Sequence, residues 1–361
     1  MRLRLQLKIN LRSFSKIIFE KGCLWIFEIQ IQRQSFLCEP QYTVNLEQYI
    51  LLTEKVNKCI ILIIKQVEFN FIIGEMIIMK IGVSSYSFQQ YIAKGEMNVE
   101  DTLVKAAELG FDAIEFVNFN MPAEVTEEYT DNLIKLSEKH NIEISAYVTG
   151  GALLSEDEDK RQAEYDEVCR QLDIAKMLGI KLFRYDVGYK LPRLMSFDMA
   201  LELVCPYMKK IADYGEGLGI MTMIENHGLA FQDWERIEKT YNAVNHKNFS
   251  ILIDIGNFMC VDFDNTICVS KLANLASHVH LKDMKKIDFY DECSKDGCFQ
   301  TRAGNYILGT AVGYGDAKAA QCVQILKNAG YDGFLNIEYE GQEDCIEGLK
   351  KGLEFARGLM E

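Results

Sequence analysis

From Met79 to the end of the chain, short apolar runs alternate with longer stretches in which apolar residues recur every three or four positions. The short runs are typical of buried β-strands, and the longer period is typical of amphipathic helices. Strands are predicted at 80–88, 111–118, 143–148, 180–188, 221–225, 249–254, 278–282 and 334–338. Helices are predicted at 99–109, 127–139, 156–177, 197–216, 233–244, 264–275, 317–329 and 345–360.

Strands that alternate with helices in this way predict a parallel sheet. Eight such units within about 280 residues predict a (β/α)8 TIM barrel over residues 79–361. An open, doubly wound sheet is the alternative fold, but no glycine-rich phosphate-binding fingerprint follows the first strand. Residues 283–316 are expected to form a long loop before the seventh helix.

Four polar residues of metal-binding types end four successive strands in the C-terminal half of the chain. They are Glu225, Asp254, His280 and Glu338. In a parallel barrel the C-terminal strand ends converge on one face, where catalytic groups gather. The sequence therefore predicts one metal site at the mouth of the barrel.

Side-chain alternation along these strands supports the same site. Alternate residues of a strand face the same way. The residues that share the orientation of the four polar residues are Met223, Leu252, His278 and Asn336, and the opposite set is Ile224, Ile253, Val279 and Ile337. The second set is wholly apolar, as expected for a face packed against surrounding helices.

Residues 1–78 differ in composition from the rest of the chain. They contain no Ala, Asp or His and only two of the 25 glycines. Ten Lys and Arg against seven Glu give this segment a charge of +3, which leaves −17 for residues 79–361. We expect an N-terminal extension outside the domain, either disordered or a translated upstream region whose true start is Met79.

The remaining bulk properties exclude several classes of protein. A formal charge of −14 argues against a nucleic-acid partner, whose backbone demands a basic surface. The opening residues lack an apolar core of signal-peptide length, and the apolar stretch 59–64 is too short to span a bilayer. Eleven cysteines without a CxxC pair favour reduced thiols in a cytoplasm.

The four strand-end residues form a mixed oxygen and nitrogen ligand set. Such a set suits a divalent ion, with Mn²⁺ expected first and Mg²⁺, Co²⁺ or Zn²⁺ as alternatives. A divalent ion can stabilise the enediolate that forms when a proton leaves the carbon next to a sugar carbonyl. Glu225 and Glu338 would flank that substrate as catalytic base and acid.

Four runs of the sequence resemble the xylose isomerase-like TIM barrels, a superfamily of sugar phosphate isomerases and epimerases, ketose 3-epimerases, inosose dehydratases and endonuclease IV. The runs are IENHG (224–228), LIDIGNF (252–258), HVHLKD (278–283) and GYDGFLNIEYEG (330–341). The resemblance covers about Met79 to Met360. It implies that Glu225, Asp254, His280 and Glu338 are metal ligands and that the two glutamates also form the acid–base pair.

Further residues near the strand ends are candidates for substrate binding. His227 has the orientation of Glu225 and is expected to bind substrate or act as a general base. The other substrate-binding candidates are Asn257, Lys282, Arg184, Glu115 and Arg302. Arg302 is expected to be a mobile clamp, and Lys282 either contacts substrate or orients the ligand His280.

Two reactions remain open. The segment FQTRAGNYILGTAVGYGD (299–316) resembles one in the α subunits of C-glycoside deglycosidases, which pair with a small β subunit and whose base resembles His227. A sugar isomerase or epimerase is the first hypothesis, and a lyase of the deglycosidase or inosose dehydratase type is the second. Endonuclease activity is disfavoured by the acidity and by only five histidines, and a metal-free binding barrel by the complete ligand set. The expected partners are a carbohydrate substrate and either a second copy of the chain or a small β subunit.

Overall fold

The computed structural model describes residues 9–19, 22–31, 79–287 and 297–360. The chain separates into two units between Met76 and Ile77. In the first unit, β1 (Ile9–Phe19) pairs antiparallel with β2 (Gly22–Ile31). These strands differ from the disorder that was one of the two expectations for this segment. Residues 1–8, 20–21 and 32–78 lie outside the described residues, and a start at Met79 stays a prediction.

The second unit is a closed barrel of eight parallel strands, which confirms the predicted TIM barrel. Its strands are β3 (Lys80–Ser84), β4 (Ala113–Val117), β5 (Glu143–Thr149), β6 (Leu182–Tyr185), β7 (Met221–Glu225), β8 (Phe249–Asp254), β9 (Ala276–Leu281) and β13 (Phe334–Ile337). Each strand pairs with its neighbour in chain order, and β13 closes the barrel between β9 and β3.

Helices surround the barrel and bury their apolar faces against it. They are α1 (Gln89–Ile92), α2 (Val99–Leu109), α3 (Glu127–His140), α4 (Glu158–Met177), α5 (Phe197–Leu218), α6 (Trp234–Val244), α7 (Asn265–Leu272), α8 (Ala319–Asn328) and α9 (Cys345–Gly358). Local chemistry sets their ends, as α2 illustrates. Asn98 and Asp101 form a reciprocal capping box at its start, and Gly110 ends it at φ 91°.

The first strand of the barrel, β3, is shorter than the predicted strand 80–88. It ends at Ser84, and Ser85–Phe88 form a 3₁₀ turn instead of continuing the strand. The Ser84 hydroxyl accepts a hydrogen bond from the backbone N–H of Tyr86, a local bond that competes with the strand ladder. Tyr86 thereby lies at the mouth of the barrel.

The described parts of the segment 283–316 form a small sheet rather than the long loop that was predicted. The strands β10 (Asp283–Ile287), β11 (Cys298–Gln300) and β12 (Tyr306–Thr310) pair antiparallel in the order β10-β12-β11. The Asp283 carboxylate accepts backbone N–H bonds from Met284, Gly313, Gly315 and Ala317, at 2.9–3.0 Å. This one side chain therefore ties the start of the insertion to its end.

Two further observations bear on the bulk predictions. Among the described residues, no helix combines the length and the apolar character that a membrane crossing requires. Cys298 is disulfide-bonded, so the expectation of reduced thiols is wrong at this position. In the part of the barrel unit that the structure describes, six other cysteines are free: Cys169, Cys205, Cys260, Cys268, Cys322 and Cys345.

Candidate metal centre

The four predicted ligands converge at the C-terminal face of the barrel. Glu225 and Asp254 end β7 and β8, His280 lies on β9, and Glu338 directly follows β13. One ligand atom from each lies within 4.8 Å of the others. His280 pairs in register with Asp254, which sets the two side chains beside each other.

Glu225 is held from both sides by buried groups. Its Oε2 lies 2.6 Å from Arg184 Nη2, and its Oε1 accepts a hydrogen bond of 2.8 Å from Asn257 Nδ2. Arg184 also donates to the carbonyl of Thr149 at 3.1 Å, which fixes the guanidinium on β6. The carboxylate of Glu225 is therefore preset in one orientation.

Asp254 presents one oxygen to the centre. Its Oδ1 accepts backbone N–H bonds from Gly256 and Asn257 at 2.8 and 3.0 Å. Its Oδ2 is fully buried and has no hydrogen-bond partner among the described residues, although Lys282 Nζ forms an ion pair with it at 3.1 Å. Burial, reinforced by Glu225 and Glu338 against the opposing charge of Lys282, raises the pKa of Asp254 to about 7.

His280 points Nδ1 at the carboxylates. This nitrogen lies 3.8 Å from Glu225 Oε1, 3.9 Å from Asp254 Oδ2 and 3.6 Å from Glu338 Oε2. Its other ring nitrogen, Nε2, lies 3.0 Å from Glu115 Oε2. A carboxylate behind a histidine fixes the tautomer and ring orientation of a metal ligand.

Two buried atoms of this set fit a bound cation. His280 Nδ1, like Asp254 Oδ2, is buried without a hydrogen-bond partner among the described residues. Such atoms are costly unless something satisfies them. With carboxylate oxygens of Glu225 and Glu338 beside them, they form a donor set suited to a hard or borderline divalent ion.

Glu115, predicted to bind substrate, lies beneath the ligand set instead. Its side chain is fully buried, and Oε2 contacts Nε2 of both His278 and His280 at 3.0 Å. Burial would raise the pKa of Glu115, but the two histidines outweigh it and hold the pKa well below its usual range. Glu115, His278 and His280 could also group around an ion, yet neither Glu115 nor His278 lines the cavity described below.

Lys282 lies among the carboxylates of the centre. Its Nζ contacts Glu338 Oε2 at 2.5 Å, Glu340 Oε1 at 3.3 Å and Asn257 Oδ1 at 3.2 Å. These contacts hold the pKa of Lys282 well above its ordinary value, although burial opposes the shift. Burial would raise the pKa of Glu338, but Lys282 and His280 outweigh burial and hold this pKa well below its ordinary value. Glu340 did not stand out in the sequence.

His227 forms a pair with Asp186, a residue that sequence reasoning missed. His227 Nδ1 lies 3.1 Å from Asp186 Oδ1, and the same oxygen lies 2.6 Å from Arg184 Nη2. Burial lowers the pKa of His227, but Asp186 outweighs burial and raises it. Asp186 shares the strand orientation of Arg184 in the run 180–188, which is the signal that could have identified it.

A cavity of about 600 Å³ opens beside the ligand set. Five predicted site residues line it: Arg184, Glu225, His227, Lys282 and Glu338. Its wall also includes loops after the first three barrel strands, where Tyr86 and Phe119 are in edge-to-face contact at 5.8 Å, and parts of α4 and of the segments after β6 and β13. Its volume falls in the range of small-molecule sites.

Two other predicted substrate contacts lie elsewhere. Asn257 is buried and bridges Glu225 and Lys282, because the backbone after Asp254 turns it inward beneath the cavity. Arg302, predicted to be a mobile clamp, does not line this cavity and bonds Asp233 Oδ2 at 2.8 Å and the carbonyl of Leu229 at 2.6 Å. It ties the inserted sheet to the segment that follows His227.

Comparison with known proteins places this barrel in one family. A model of the xylose isomerase-like TIM barrel matches residues 103–359, so the chain belongs to that family. This confirms the resemblance noted in the sequence.

Individual relatives are distant. An inosose dehydratase of Mesomycoplasma hyopneumoniae is 23% identical over 74% of this chain and 90% of that protein. A D-psicose 3-epimerase from Clostridium cellulolyticum H10, solved with D-tagatose, has a TM-score of 0.63 at 15% identity, over 78% of this chain and all of that chain. A probable 3-DHS dehydratase from Bacillus anthracis has a TM-score of 0.61 at 17% identity, over 77% of this chain and 99% of that chain. These structural likenesses establish the fold.

Proposed function

We propose that the protein is a divalent-metal-dependent sugar isomerase or epimerase that removes a proton from the carbon beside a sugar carbonyl. The convergence of Glu225, Asp254, His280 and Glu338 on one point beside the cavity, which Glu225 and Glu338 line, carries this proposal. Two buried ligand atoms without hydrogen-bond partners among the described residues support an ion at that position. We propose Mn²⁺ first, with Mg²⁺, Co²⁺ and Zn²⁺ as alternatives.

The ion, when bound, supplies Lewis-acid polarisation of the carbonyl and of the neighbouring hydroxyl. The chain supplies the proton transfers. Glu338 lines the cavity with a partly exposed side chain and is suited to take the proton. Glu225 lines the same cavity, and Arg184 and Asn257 fix its orientation for returning a proton to the other face.

These two proton transfers leave the substrate and the product with the same atoms. The C–H bond beside the carbonyl breaks, its electron pair forms an enediolate, and a proton returns to the same carbon or its neighbour. No oxidant or reductant is consumed, which suits a site built only of acid–base groups.

A lyase is the second candidate, and the Asp186–His227 pair favours it. Asp186 engages Nδ1 of His227, and no described residue hydrogen-bonds Nε2 on the cavity wall. An imidazole held in this way is suited to act as a general base near neutral pH. After proton removal, loss of water or of an aglycone from the next carbon would complete an inosose dehydratase-like or C-glycoside deglycosidase reaction. The deglycosidase version would add a small β subunit as partner.

A substrate screen in D₂O tests both candidates. Ketoses, inososes and 3-oxo-glycosides would be incubated with protein loaded with Mn²⁺ or Mg²⁺ and followed by ¹H NMR. Exchange of the α-proton with formation of an epimer or isomer supports the first candidate, whereas a new alkene or a released aglycone supports the second. Metal-loaded protein that exchanges no α-proton in any of these classes would refute both.

A further inference from the structure

Lys282 contacts the same oxygens that the proposed metal ion would use. Asp254 Oδ2 and Glu338 Oε2 are the atoms that face His280 Nδ1, and Lys282 Nζ lies 3.1 and 2.5 Å from them. An ion bound about 2.1 Å from Glu338 Oε2 would lie at most about 4.6 Å from that ammonium. Two cations at such a short separation in a buried site repel each other strongly.

Glu340 offers the ammonium a second position. Its Oε1 already lies 3.3 Å from Lys282 Nζ, and it belongs to the cavity wall rather than to the ligand set. Asn257 Oδ1, at 3.2 Å, is the remaining acceptor around Nζ among the described residues. A small rotation of the lysine toward Glu340 would release both ligand oxygens.

We propose that Lys282 is an internal counter-cation, which a metal ion displaces from Asp254 and Glu338 onto Glu340. This inference rests on the proposed metal dependence and deepens it. Without metal, Lys282 balances the buried carboxylates and keeps them preorganised. With metal, its ammonium faces the cavity beside Glu340, where it can donate to a substrate oxygen.

Metal affinity in the full-length protein tests the exchange. Chelator-stripped wild type and Lys282→Met would be titrated with Mn²⁺ by isothermal calorimetry. Removing the competing cation should tighten Mn²⁺ binding by about tenfold or more. The same substitution should lower the melting temperature of the metal-free protein, because the carboxylates lose their partner. Lys285 is an exposed lysine on β10. Lys285→Met is therefore the matched control and should bind Mn²⁺ like wild type.

A double-mutant cycle separates the role of Glu340 from a general effect of charge. Glu340→Gln should weaken Mn²⁺ binding severalfold in the wild-type background, because the displaced lysine loses its partner. In the Lys282→Met background the same change should have little effect. An equal loss in both backgrounds would show a long-range field and overturn the displacement onto Glu340.

Other outcomes are equally decisive. Unchanged or weaker Mn²⁺ binding in Lys282→Met overturns the inference while leaving the proposed function intact. If Lys282→Met does not fold without metal, Glu340→Gln alone still decides, since wild-type affinity in that variant contradicts the displacement. Failure of the wild type to bind Mn²⁺, Mg²⁺, Co²⁺ or Zn²⁺ would overturn the proposed function itself and this inference with it.

Discussion

At the level of single residues, the alternation of side chains along the strands identified the candidate metal ligands. Glu225, Asp254, His280 and Glu338 each stand at or beside a strand end with apolar neighbours on the opposite face, and this local pattern survives in the fold. The supporting residues were harder to place. Glu115 meets His280 from 165 positions away, and Asp186 meets His227 from 41 positions away. Only the closed barrel brings such pairs together.

Glu338→Gln tests whether Glu338 belongs to the proposed acid–base pair. The change removes a proton acceptor on the cavity wall, so exchange of the substrate α-proton with solvent should fall by at least about 100-fold. NMR in D₂O measures the exchange. Bound metal must be quantified in the same sample, because Glu338 is also a candidate ligand.

His227→Ala gives the complementary result. In an epimerase that uses two glutamates, this change should mainly raise KM, because a hydrogen-bonding group is lost without the proton acceptor. Retained metal together with abolished exchange would instead identify His227 as the base and favour the lyase. Asp186→Asn should then reduce exchange as well, since it alters the partner of His227 Nδ1.

Glu115→Gln tests whether the buried carboxylate supports the metal from behind His280. Loss of its charge should weaken Mn²⁺ binding by about 10–100-fold, as for other groups that orient a metal ligand. Calorimetric titration measures the change. Glu143 is the first residue of β5 and so lies at the face of the barrel opposite the candidate metal centre. Glu143→Gln is therefore a control expected to show no such loss. Wild-type affinity in Glu115→Gln would argue that His280 needs no support.

At the scale of elements, apolar runs and their glycine and asparagine boundaries predicted most strands and helices closely. The helix expected at 99–109 is Val99–Leu109, because Asn98 and Gly110 act as local signals. The segment 283–316 was missed for a physical reason. Its strands pair only with each other and depend on a carboxylate that binds amides about 30 positions away.

Gly82 on β3 lies in close contact with a side chain of β13. A Cβ there would lie 2.0 Å from Asn336 Oδ1 on β13 and 3.2 Å from the carbonyl of Ala113. Gly82→Ala should therefore destabilise the barrel by about 1–3 kcal/mol, the usual cost of overpacking. Denaturant unfolding would measure the loss. Gly217→Ala in α5, which meets nothing within 4 Å, should cause none, and equal effects of the two would contradict this account.

On the scale of the whole molecule, composition separated residues 1–78 from the barrel, and the chain divides between Met76 and Ile77. Fold class followed from the repeated strand–helix pattern, because eight units leave few other arrangements. The family followed from the resemblance of four sequence runs. The reaction did not follow, because the isomerase and the lyase hypotheses both begin with removal of a proton beside a sugar carbonyl.

A chain that begins at Met79 should fold and bind Mn²⁺ like the full-length protein. All four candidate ligands and the eight barrel strands lie beyond that residue. Circular dichroism, thermal unfolding and Mn²⁺ titration of both chains would check this. Insolubility or lost binding in the shorter chain, with a functional full-length protein, would show that the first 78 residues are required.

The Asp283 carboxylate has a consequence for how this enzyme family could diversify. Because one side chain gathers amides from both ends of the segment 283–317, the segment enters and leaves the barrel at nearly one point. An insertion whose two ends are held together at the barrel behaves as an exchangeable unit. Its interior can lengthen, shorten or be exchanged for that of a relative while β9 and α8 keep their positions. A constant Asp283 would thus let the rest of the insertion be exchanged without rebuilding its attachment to the barrel.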